Sequence, residues 1–162
     1  MSLAPKRRHN GFYLKSSIMT LGICSDHAGY EYKSELIKYL ARRGHNVIDY
    51  GTDSAASVDY ADFAHPLARA VERGTVERGI AICGTGNGMA MTLNHHKGIR
   101  AGLAWNKEVA TLVKEHNDAN ILVMPARFAT LTMCKIMVKA WMEAKFAGGR
   151  HQRRIDKIPV KR

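Results

Sequence analysis

The chain has 162 residues, 46% of them hydrophobic and 24% charged, a size and composition that suit one globular domain with one core. No apolar run approaches the roughly 18 residues of a membrane span, and Cys24, Cys83 and Cys134 are widely spaced with no CxxC pair, which argues against a disulfide framework or structural zinc and points to a reducing, cytoplasmic setting. The net charge of +11 gathers at the two ends: residues 1–17 carry Lys6, Arg7, Arg8 and Lys15 with no acid, and residues 148–162 carry Arg150, Arg153, Arg154, Lys157, Lys161 and Arg162 against Asp156, so the body lacks the basic stripe of a nucleic-acid binder.

Residues 1–17 have no apolar h-region and are expected to be a disordered basic extension ahead of a single domain over 18–162. Ile18–Ser25 predicts a buried strand. Tyr30–Arg43 sets Leu36, Ile37 and Leu40 on one helical face, with Gly44 as its stop. Asn46–Tyr50 predicts a second strand, and the turn-rich Gly51–Val58 a loop. Asp59–Arg73 reads as a helix, with Pro66 a mark against it. Arg78–Cys83 is the third strand. It ends in the glycine loop Gly84–Gly88, and a short helix over Met89–Asn94 follows. Ile99–Ala104, Lys107–His116, Asn120–Met124 and Thr130–Phe146 predict strand, helix, strand and a long helix stopped by Gly148 and Gly149.

Five strands alternating with helices imply a parallel sheet with crossover connections, and strands apolar on both faces need helices on both sides. Ligands in such folds sit beyond the C-terminal strand ends. That rule directs attention to Asp26-His27, Tyr50-Gly51, Cys83–Gly88 and the segment before strand five, His116-Asn117-Asp118.

The run Cys83-Gly84-Thr85-Gly86-Asn87-Gly88 is the strongest local signal. Alternate glycines let several backbone N–H groups converge on an anion, a phosphate or a developing oxyanion. Its GxGxG spacing matches neither the dinucleotide GxGxxG nor the P-loop, and by itself the run is as readily a tight connection. Cys83 adds chemistry: a thiol at a strand end beside backbone donors is expected to have a lowered pKa. Cys24 and Cys134 read as core residues. A histidine such as His116 suits proton transfer near neutrality, although a lone histidine at a helix end is ordinarily a cap or surface group. His95 and His96 lack any HExxH pattern and read as non-metal residues. Arg150 and Arg154 share a face if the tail is helical and can hold a phosphate; otherwise they belong to a solvated basic tail.

Six ordered segments carry a more specific signal: SDHAGYEYK at 25–33, IDYGT at 48–52, CGTGNGMA at 83–90, GIRA at 98–101, HNDANIL at 116–122 and GGRHQRRI at 148–155. Together they resemble the ribose-5-phosphate isomerase B family and the related galactose-6-phosphate isomerase subunits. The resemblance implies a Rossmann-like three-layer α/β/α sandwich with a five-stranded parallel sheet, no metal or other cofactor, and a homodimer or homotetramer whose active sites are shared between subunits. It implies that Cys83 is the base moving a proton between C1 and C2 of a sugar phosphate. The N–H groups of Gly84, Gly86, Asn87 and Gly88, with Thr85, would hold the enediolate oxygen. His116 would open the furanose ring with help from Asp26, and Asn117 would contact the sugar. His27, Arg127, Arg150 and Arg154 would bind the phosphate, while Asp49 and Tyr50 occupy the sugar-side position. Relatives that use a glutamate base carry it where this chain has Met89, so the cysteine variant is expected. The implied reaction is the interconversion of ribose 5-phosphate and ribulose 5-phosphate. A six-carbon sugar phosphate (allose 6-phosphate or galactose 6-phosphate) and a catalytically silent sugar-phosphate-binding module are the competing readings.

Overall fold

The computed structural model describes residues 17–161, so the expected basic extension, Ser17 apart, lies outside the described residues. Strand β1 (Thr20–Ser25) leads through a 3-10 turn (His27–Gly29) into α1 (Tyr30–Ala41) and β2 (Asn46–Asp49). Helix α2 (Tyr60–Glu72), β3 (Arg78–Cys83), α3 (Asn87–Leu93) and β4 (Ala101–Leu103) follow. The chain then forms α4 (Lys107–Glu115), β5 (Ile121–Pro125), α5 (Leu131–Glu143) and a last short helix, α6 (Arg150–Ile155). Among the described residues all four strand pairings are parallel, in the order β2-β1-β3-β5-β4.

The central strands β1, β3 and β5 are buried almost throughout, because helices cover both faces. On one side Leu36, Leu40, Met137, Val138 and Trp141 of α1 and α5 pack with Ala110 of α4 against Ile23, Ile80 and Leu122. On the other, Ala64, Leu67 and Ala68 of α2 and Met89 and Leu93 of α3 pack against Cys24, Ala81 and Val123. Cys24 and Cys134 are fully buried in these layers, as the sequence predicts, and all three cysteines are free. No helix among the described residues is long and apolar enough to cross a membrane.

Three boundaries shift from the sequence reading for an identifiable local reason. Helix α3 begins at Asn87 rather than Met89, because Gly86 turns the chain at φ +81° and the Thr85 hydroxyl accepts the Asn87 N–H at 3.3 Å. Strand β4 shrinks to three residues at the sheet edge, where the Asn94 side-chain amide pairs both polar groups of Ala101 at 2.9 Å. Helix α5 stops at Glu143, before Phe146, since Ala144 is extended and Arg78 donates to the carbonyls of Trp141 and Met142 at 3.5 and 3.3 Å. Helix α2 runs unbroken through Pro66. The lost bond would have gone to the carbonyl of Asp62, an exposed residue, so water can replace it.

Candidate active site

The C-terminal edge of the sheet gathers most of the expected residues. Cys83 ends β3 and is 3% exposed. The thiol sulfur accepts the Gly86 N–H at 3.1 Å, and the N–H groups of Met89 and Thr85 also bear on it. The loop wraps around the sulfur because Gly86 takes a left-handed conformation that side chains resist. Gly88 lies close under Tyr60: a Cβ there would come within 2.5 Å of the ring, which would have to move. Arg127, after β5, donates its N–H to the Gly84 carbonyl at 3.0 Å, and its side chain lies across Gly84.

Asp26 follows β1 and is 7% exposed. One carboxylate oxygen caps the turn by accepting the N–H groups of Ala28 and Gly29 at 2.9 and 3.2 Å. His27 Nδ1 accepts the Val58 N–H at 3.2 Å, so the neutral ring carries its proton on Nε2, where it is a donor. The 50–52 loop is sewn to β1. Tyr50 donates to Ile23, Ser25 to Gly51, and Thr52 to Ser25, at 2.7–2.9 Å. Asp49 turns its carboxylate onto the buried Lys33 ammonium at 2.6 and 2.5 Å and onto the Gly51 N–H at 2.8 Å, which anchors this loop.

Two expectations are corrected here. The first concerns the Cys83 thiol. Burial pushes it up above its ordinary value of 9.0, Asp26 adds to the rise, and the N–H groups of Met89, Gly86 and Thr85 only partly offset it. A site at a strand end that is closed to water favours the neutral thiol, so the expected lowering does not occur.

The second concerns His116. The His116-Asn117-Asp118 segment is not at the C-terminal edge. Gly79 pairs with Ile121 and Cys83 with Pro125, so these levels stand about 13 Å apart at about 3.3 Å per residue. His116 lies before Ile121, below even the lower level. The reason is topological: α4 runs back against the strands, so its C-terminus must return to their N-terminal ends.

At that second edge the residues form their own cluster. His116 caps α4, and Asp118 adopts φ +45°, a conformation costly for most residues but tolerated by aspartate. The Asp118 carboxylate pairs with Lys114 and, at 3.2 Å, with Arg100. Arg100 also donates to the Asn117 and Asp118 carbonyls, the shortest contact being 3.0 Å, so it fixes the turn that presents His116 and Asn117. Helix α6 docks beside this turn, with the Ala147 N–H on the Glu115 carbonyl at 2.9 Å and the His151 ring stacked on His116. Arg150 and Arg154 are exposed on α6.

One chain therefore brings together Asp26, His27, Asp49, Tyr50, Cys83, Thr85, the loop glycines, Asn87 and Arg127. It holds His116, Asn117, Arg150 and Arg154 apart from them. Four further residues support the site without a prior sequence signal for that role: Lys33, Tyr60, Arg100 and His151. Their contacts are long-range and follow no local periodicity, although Lys33, Arg100 and His151 stand within three of the six segments.

The family pattern described as Ribose/Galactose Isomerase matches residues 21–158. Ribose-5-phosphate isomerase B of Escherichia coli (strain K12) is 42% identical over 133 residues, covering 82% of this chain and 89% of that one. The solved ribose-5-phosphate isomerase B of Clostridium thermocellum superposes with a TM-score of 0.85 at 46% identity, covering 86% of this chain and 95% of that one. That of Mycoplasma genitalium, with bound ribulose-5-phosphate, superposes with a TM-score of 0.83 at 40% identity, covering 86% and 93%. With the pattern matched over nearly the whole described chain and both solved relatives superposing over 86% of it at 40% identity or more, the chain belongs to the ribose/galactose isomerase family.

Proposed function

We propose that the protein is an aldose–ketose isomerase interconverting ribose 5-phosphate and ribulose 5-phosphate, with Cys83 as the base. The carrying observation is the convergence of backbone N–H groups around a sulfur that ends β3, in a chain of this family. In the open-chain aldose the Cys83 thiolate removes the C2 proton. The electron pair moves into a C1–C2 double bond, and charge develops on the carbonyl oxygen. N–H groups of the Gly84–Gly88 loop stabilise that oxygen, which takes up the proton of the C2 hydroxyl; as the C2 carbonyl forms, the proton held by Cys83 returns at C1. Before this, the furanose must open: a proton reaches the ring oxygen from His116, the anomeric hydroxyl loses one to a base, and the C1–O bond breaks as the carbonyl forms. In this scheme Asp26 assists the opening.

The separation of His116 from Cys83 favours a site built from two copies, one contributing Cys83, Asp26 and Arg127, the other His116, Asn117, Arg150 and Arg154. Exposed apolar side chains near the cysteine edge support a second copy seated there: Tyr60 at 43%, Met91 at 69%, Trp105 at 54% and Phe128 at 72% exposure. The arginines then hold the phosphate while the reacting carbons lie over Cys83.

The decisive assay offers ribose 5-phosphate and allose 6-phosphate separately to the purified chain and to Cys83→Ala. Turnover of ribose 5-phosphate that falls at least about a hundredfold in the variant is expected. A variant keeping more than about a tenth of the rate, a barrier change under ~1.4 kcal/mol, removes Cys83 as the base. Turnover of the six-carbon sugar alone reassigns the substrate, and binding without turnover of either makes the chain a silent module.

A further inference from the structure

We propose that His151 is a positioning residue for ring opening: stacked flat on His116, it fixes that imidazole and ties it to the arginine pair of α6. This rests on the reading of His116 as the ring-opening group and adds to it a residue that the reaction scheme leaves unused.

The two rings lie 4.2 Å apart between centroids and only 8° from parallel. His151 is 8% exposed, whereas Arg150, Gln152, Arg153 and Arg154 around it in α6 are all exposed. Helical spacing explains the difference. His151 and Ile155 are four apart and share the buried face, and Arg150 and Arg154 share the neighbouring exposed one. Among the described residues no hydrogen bond orients the His116 side chain, while its backbone N–H is held by the Leu112 carbonyl at 2.8 Å. The stack is thus what sets the direction of the imidazole.

Charge favours the same arrangement. The groups bearing on His151 are His116 at the end of α4 and Arg150 and Arg154 on its own helix, with the Lys114, Asp118 and Arg100 cluster just behind His116. Burial first, then His116 and the two arginines, hold the His151 imidazole below its ordinary value. It therefore stays neutral near pH 7 and presents His116 with a flat, uncharged neighbour. Because His151 follows Arg150 and precedes Arg154 by three residues, one contact sets the place of both the phosphate-holding arginines and the proton-transferring ring.

The test compares the full chain with His151→Leu, which fills the space without a flat ring, and His151→Phe, which keeps one. In the leucine variant kcat for ribose 5-phosphate should fall at least about tenfold. The acid limb of its kcat/KM profile should move, and the His116 ring-proton NMR signals should lose their upfield ring-current shift. The phenylalanine variant should keep that NMR shift and hold kcat within about threefold of wild type. Wild-type kcat, acid limb and His116 signals in the leucine variant overturn the proposal. Should the leucine variant fail to fold, a phenylalanine variant that keeps the stack but loses kcat tenfold does so equally. A wild-type chain with no isomerase activity defeats the reading of the whole site instead, and is told apart by that control.

Discussion

At the residue scale, Cys83 shows two opposing demands on one thiol. A base must be a thiolate to take a proton from carbon, yet burial and the nearby Asp26 favour the neutral form, and three N–H groups offset them only in part. Below the raised pKa the thiolate, the active form in the proposed mechanism, is therefore a minor species whose fraction grows tenfold per pH unit. We expect log kcat/KM to climb with a slope near one above neutrality and to level off only beyond the ordinary thiol value of 9.0. Asp26→Asn should shift that inflection to lower pH. A profile flat between pH 7 and 9 would mean that another group abstracts the proton. None of this was legible in the sequence. The motif predicts donors near the sulfur, but the cost of removing water from it depends on how completely α2, α3 and β1 close around the strand end.

Elements are joined here by a few side chains whose partners lie far along the chain. Helix α2 is fastened to the turn before β4 by Glu72, whose carboxylate accepts the Gly98 N–H at 3.0 Å and meets His96 Nδ1 at 3.1 Å. His96 in turn meets His65 Nδ1 at 2.8 Å, closing the link back to α2. The Gly98 N–H first, then His96, hold the Glu72 carboxyl below its ordinary value of 4.5. Its folded pKa is lowered, so its stabilisation is complete above pH 4.5 and is lost as pH falls through the lower folded value. Glu72→Gln should cost about 1 kcal/mol at pH 7, a fall in Tm of about 2–4 °C in a chain of this length. The difference between variant and wild type should narrow in acid. An equal Tm at pH 7 would show that this fastening carries no stability. In sequence the pair His95-His96 reads only as non-metal residues. His96, only 15% exposed at its side chain, joins this link, because the turn before β4 presses it onto α2.

For the whole molecule the dominant fact is that the site residues fall at opposite edges of one sheet. If two copies complete each site, chains crippled in different halves must rescue each other. Cys83→Ala and His116→Ala should each be inactive as purified. Mixed in equal amounts, unfolded and refolded together, they should regain about a quarter of wild-type activity, since half the dimers then hold one intact site of two. No recovery, with both variants folded and dimeric, would place each site within a single chain. By itself the sequence determined the parallel sheet, its five strands and the identity of the glycine loop, because alternating hydrophobic runs, turn residues and ordered motifs are local signals. Through resemblance it also offered the candidate site residues. Only the tertiary structure decided which of them can meet. The segment before strand five looks adjacent to the site in a list of motifs. In space a helix returning antiparallel to the strands delivers it to the far edge, where Arg100 and His151, chosen by packing rather than by any periodic pattern, hold it in place.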